Sequence, residues 1–299
     1  MQPMYPYPTQ PMRPAEPPQP TFTEMKNAAK SSLKHRWAEA IAVSLVFLAT
    51  ALLNTVMQAA LQIIFKVDTV WSPITPTNVP INSIIASISI TLFSAIFSLI
   101  VMFPLLFGVM RWFWFVTGGG DPSIGDVFYY FSSARVFFKA LGISVSIFWR
   151  LILGAVICFL PYTAISILTN ADFYNLIGIS MPTVMSSLYS LATMFEMLGF
   201  FLLLLWVSGY SMFYTVMFYE PELSVRKTLK QAVAISKKQR MRFIGFFFTF
   251  FGWVLLSSLF LPLLYFLPFF LASMCVYGRE MYRSAQRNSV NLSSPNGNL

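Results

Sequence analysis

The sequence predicts an all-α, polytopic transmembrane helical bundle of about six membrane segments, with amphipathic interfacial helices on the cytoplasmic side and an N-in/C-in topology. Three observations carry this. Of 299 residues, 57% are hydrophobic and only 10% charged, with a mean hydropathy of +0.66, whereas about a quarter of residues are charged in soluble domains. Apolar runs of the length that crosses a bilayer recur along the chain. Lysine and arginine cluster beside these runs, the pattern that sets orientation in a membrane. The net charge of +9 is therefore read as membrane anchoring, and no nucleic acid partner is expected.

Residues 1–22 form an expected disordered cytoplasmic tail. Pro8, Pro11, Pro14, Pro17 and Pro20 recur every third residue, the period of polyproline II, so they line one edge of an extended strip open to a protein partner. Residues 23–283 form the membrane domain. It opens on a short basic helix, capped by Thr23, that carries Lys26, Lys30, Lys34 and Arg36. Spans are expected at about 38–65, 84–115, 140–168, 184–218, 243–260 and 262–278, and residues 284–299 as a disordered polar tail.

The second span carries Ser83, Ser87, Thr91 and Ala95 at four-residue spacing, which suits close helix packing in lipid. After it, Gly118, Gly119 and Gly120 read as a turn. Ser123 and Asp126 then resemble a capping box opening an amphipathic helix with Ile124, Val127, Phe128 and Phe131 on one face. Pro20-Thr21-Phe22-Thr23, Pro122-Ser123-Ile124-Gly125 and Pro221-Glu222-Leu223-Ser224 share a short pattern about 100 residues apart, which fits either three repeated units or coincidence.

With the N-terminus inside, every Lys and Arg but Lys66 and Arg150 falls on the cytoplasmic side. Arg279, Arg283 and Arg287 place the C-terminus inside as well, which requires an even number of crossings. The 35 apolar residues after Arg242 must then go out and return, yet they supply only about 52 Å of helix against about 60 Å for two bilayer cores. Two short helices or a re-entrant pair are the alternatives, with Pro262 and Pro268 as the breaks.

At 100° per residue, the helix after Ser224 sets Val225, Leu229, Ala232, Val233 and Ser236 on one side and Arg226, Lys227, Lys230, Lys237 and Lys238 on the other. With Arg240, these cations are the candidate contacts for anionic lipid headgroups. Arg150 and Glu196 are the intramembrane ionisable residues, on adjacent antiparallel spans that allow an ion pair. Catalytic chemistry lacks a constellation: His35 is the single histidine, with no carboxylate cluster or nucleophile motif. Cys158 and Cys275 fall in two different spans and read as packing residues. No catalytic residue, metal or cofactor is expected.

The run from Tyr214 to Leu256, followed by Leu261 to Tyr282, resembles the bacterial integral-membrane family catalogued as domain of unknown function 975. Glu220, Pro221, Ser224, Ser236, Lys237, Phe247, Gly252, Trp253, Pro268, Phe269 and Tyr277 carry the likeness. It implies fold and a bacterial cell (cytoplasmic) membrane location, but no activity. The function expected is a non-enzymatic membrane-organising or accessory factor contacting anionic lipid through basic amphipathic helices. The alternative is a small transporter or channel using Arg150, Glu196 and the proline-broken C-terminal hairpin.

Overall fold

A computed structural model describes residues 19–65, 81–168, 189–237, 239–256 and 260–293. The proline strip before residue 19, Lys66 and the loop around it, residues 169–188, Lys238 and residues 294–299 lie outside the described residues. Every regular element among the described residues is helical.

The chain opens with α1, Phe22–Ser32. Its N-cap is Thr21, two residues before the expected Thr23. The Thr21 side chain accepts from the Glu24 amide (3.3 Å) while the Thr21 amide donates back to Glu24 (2.7 Å), a reciprocal box that settles the helix start. Met25, Ala29 and Leu33 form its buried face. Helix α2, Trp37–Ile64, follows one turn later.

Helix α3, Ile81–Phe97, leads through a π-helical turn at Ser98–Met102 into α4, Phe103–Thr117. Beyond Gly119, whose φ of 81° lies in the left-handed region that glycine tolerates, the stretch Ile124–Phe131 is a 3-10 helix, where an α-helix was expected. The Ser123 amide still donates to the Asp126 carboxylate at 2.8 Å. The tighter coil turns Val127 and Tyr130 inward, and the Val127 carbonyl packs directly on Gly108 of α4.

Helix α5, Ala134–Leu168, pairs with α6, Tyr189–Ser208, which continues after a short break into α7, Phe213–Tyr219. The basic helix α8 is Val225–Lys237. Two short helices, α9 at Arg240–Phe248 and α10 at Phe251–Leu256, precede α11, Phe260–Ser293. Helix α11 runs well into the stretch expected to be a disordered tail.

Five helical stretches are long and apolar enough to cross a membrane: Trp37–Ile64, Ile85–Thr117, Ala134–Leu168, Ser190–Tyr219 and Pro262–Arg287. The first four have mean hydropathies of 1.9 to 2.4 and bury at most 22% of their most apolar window; the fifth reaches only 1.2 and buries 50%. Their exposed large apolar side chains, such as Leu52, Ile63, Ile88, Met197 and Phe200, form a surface that a bilayer would cover and water would not tolerate.

The core sits at one end of these long helices. Trp112, Phe113, Ala29, Val43, Ala272 and Cys275 share one cluster, and Phe246, Phe250, Met25, Tyr277 and Met281 another. Helix α1 lies antiparallel to α11, with Gln19 Nε2 donating to Ser284 Oγ at 3.2 Å and Trp37 stacked on Tyr265. Gln19 and Ser284 therefore lie together at one end of the described structure. The expected fifth segment, 243–260, is among the described residues only the nine-residue α9 and the six-residue α10.

Candidate functional site

The charged end is built by α4, α7, α8, α11 and the turn after α4. On α8, the face predicted to be apolar is turned inward: Leu229, Ala232 and Ser236 are buried, and Thr228 with them. Leu229 packs among Phe107, Ile143 and Met217, so protein covers this face. Full burial of a leucine contributes about 1.5–3 kcal/mol, which fixes the helix rotation. Arg226, Lys227, Lys230 and Lys237 are left exposed in consequence.

The base of α8 is tied to the ends of α7 and α11 by one carboxylate. Gln231 Nε2 donates to Glu220 Oε1 at 2.5 Å, and the Tyr282 hydroxyl donates to the same oxygen. Tyr282 in turn stacks on Tyr219, with ring centroids 4.3 Å apart.

Next to this node lies a cavity of about 310 Å³ lined by Trp114, Phe115, Gly118, Gly120, Tyr219, Arg279 and Arg283. Arg279 is held rigidly. Its Nη2 donates to the Trp114 carbonyl (2.7 Å), its Nη1 to the Thr117 carbonyl (2.9 Å), and its guanidinium lies 4.5 Å from the Trp114 ring. The Thr117 carbonyl lies in the last turn of α4, where the helix supplies no donor, while the Trp114 carbonyl also accepts from the Gly118 amide and from Thr117 Oγ1, both at 3.2 Å. Gly118 permits this approach, since a Cβ there would lie 2.9 Å from Arg279 Nη2. Arg283 pairs with Glu280 at 2.9 Å and its side chain is 53% exposed.

On the far side of the glycine turn, Arg36 forms a 2.5 Å salt bridge with Asp121 and donates to the Gly120 carbonyl at 3.3 Å. Arg111 lies 3.6 Å over the Tyr129 ring. Beside it, burial holds the Tyr130 phenol well above its ordinary value, so it stays protonated. Lys26 of α1 donates to the Thr249 carbonyl between α9 and α10 (3.1 Å) and sits 4.2 Å over Phe250, and burial pulls its pKa down.

Arg240 does not share the exposed face of α8. It is half-buried, its guanidinium against Gly209 at the break between α6 and α7, and its Nε is buried without a hydrogen-bond partner among the described residues. Arg150 and Glu196 are not brought together. Arg150 Nη1 donates to the Ser146 carbonyl (3.3 Å) and faces the Tyr210 ring at 5.7 Å. The approach of Gly199 to Cys158 sets Glu196 near the level of Pro161, about 16 Å along α5 from Arg150.

No family model, curated protein or solved structure matches this chain. The likeness read from the C-terminal residues rests on those residues alone.

Among the described residues no group of three His, Cys, Asp or Glu side chains is placed to hold a metal ion. Cys158 and Cys275 are buried free thiols. The sequence marked Arg279 and Arg283 only as orientation signals and the glycines only as a turn. What makes them a site is the meeting of two segments some 160 residues apart, Arg279 being 162 and 165 positions from its two carbonyl partners. No local pattern carries that signal.

Proposed function

We propose that this chain is a non-enzymatic membrane-organising or accessory factor of the bacterial cytoplasmic membrane. In this reading both termini are cytoplasmic and anionic lipid headgroups meet the basic faces of the short helices. The observation that carries it is the rotation of α8: protein holds its apolar face, and Arg226, Lys227, Lys230 and Lys237 are presented outward from a fixed platform. Each such charge contributes about 1 kcal/mol at a sufficiently anionic surface. Lys30 and Lys34, exposed on the segment that opens the chain, lie at the same end of the molecule. The resemblance to the family of unknown function agrees with this location and supplies no reaction.

Extraction in polymer-bounded native discs, followed by lipid quantification, tests the reading. Discs holding the chain are expected to be enriched in anionic lipid over the bulk membrane, and a Lys227→Gln/Lys230→Gln/Lys237→Gln variant should lose that enrichment. Lipid composition equal to bulk for the unsubstituted chain would remove the lipid role.

A further inference from the structure

The cavity under Arg279 differs from the basic face of α8 in carrying two guanidiniums between aromatic walls. Its described lining holds Arg279 and Arg283 and no carboxylate. The carbonyls of Trp114 and Thr117 take two of the donors of Arg279, out of the five on a guanidinium fork. Fixed in this way, the fork loses little freedom on meeting a ligand. Arg283 stands one helical turn further along the same face of α11, and Tyr219 adds a phenol to the wall. Gly118 and Gly120 keep that side free of side chains, and the volume of about 310 Å³ falls at the small end of ligand sites.

Paired guanidiniums are the planar, bidentate partners of phosphate oxygens, and Trp114 and Tyr219 supply rings of the kind that settle at the headgroup level of a bilayer. We propose that this cavity binds a phosphate group, presented by an anionic lipid headgroup or as free phosphate. The lipid form of the proposal deepens the function proposed above and rests on it; it assigns a seated headgroup to this cavity and a diffuse cloud of lipid to α8.

The test uses the full chain in neutral detergent, titrated separately with dioleoyl phosphatidylglycerol, dioleoyl phosphatidylcholine and inorganic phosphate, with adducts followed by native mass spectrometry. A phosphatidylglycerol adduct is expected that weakens about tenfold in Arg283→Gln, the loss of one charge-assisted bond, and is unchanged in Lys227→Gln/Lys230→Gln. Arg283 is chosen because its partner in the fold is a surface pair with Glu280, so the variant keeps the capping made by Arg279; its thermal midpoint is measured alongside. Adducts with inorganic phosphate that are lost in Arg283→Gln, without any lipid preference, support the site and assign it to free phosphate. Phosphatidylglycerol binding that survives Arg283→Gln but falls in the lysine variant overturns the cavity and leaves the α8 reading standing. Equal retention of both lipids in every variant, with no phosphate bound, overturns both.

Discussion

The Trp37 indole stacks on the Tyr265 ring, with centroids 4.7 Å and planes 13° apart. This contact joins the first residue of α2 to the second turn of α11. A double-mutant cycle of Trp37→Ala and Tyr265→Ala, read by thermal unfolding in micelles, is expected to give a coupling of about 0.5–1.5 kcal/mol, the ordinary value for an aromatic pair. Additive effects would mean that the rings do not meet.

Gly108 is the closest approach in the charged end. A Cβ added there would lie 1.7 Å from the Val127 carbonyl oxygen, a backbone atom that no rotamer change can move aside. Gly108→Ala is expected to lower stability by about 1–3 kcal/mol or more by forcing the 3-10 segment off α4, seen as a fall in midpoint with the helical content of the long spans retained.

Two charged residues beside the glycine turn should respond very differently. Arg279→Gln leaves the Thr117 carbonyl without its donor, takes the shortest bond from the Trp114 carbonyl and removes the contact with the Trp114 ring, so a loss of about 2–4 kcal/mol is expected. Asp121→Asn removes one end of a salt bridge whose acidic side chain is 84% exposed, and exposed pairs contribute about 0–1 kcal/mol. Comparing the two midpoints checks the ranking.

Lys26 gives a pH signature with a definite sign. Burial lowers its folded pKa below the usual 10.5, so between the folded value and 10.5 the unfolded chain binds more protons and stability rises with pH. At pH values below both, the burial penalty on the charged form is fully present. Lys26→Met is expected to remove this alkaline rise, measured as the difference between variant and unsubstituted midpoints across the window just below 10.5.

The rotation of α8 was legible because a 100° pattern fixes which residues share a face: Leu229, Ala232 and Ser236 are buried, and Lys227 and Lys230 exposed, as the spacing predicts. What covers the buried face was not legible, since lipid and protein select the same apolar residues. The same ambiguity hid α1, whose Met25, Ala29 and Leu33 pack on protein. Length arithmetic flagged the last apolar block as too short for two full crossings, and the structure places only two short helices, α9 and α10, before α11. Arg150 and Glu196 looked pairable because periodicity reports rotation about a helix and not height along it.

The hydrogen bond between Gln19 and Ser284 spans 265 positions, and it has a consequence for biosynthesis. Helix α1 is made well over 200 residues before the end of α11, yet its apolar face fits a groove that α11 completes. At about 5–20 residues per second, that face waits on the order of 10–50 s for its partner. During that interval the nascent chain must shelter Met25, Ala29 and Leu33 against the membrane surface or an insertion factor, so the order of synthesis and the order of assembly run in opposite directions.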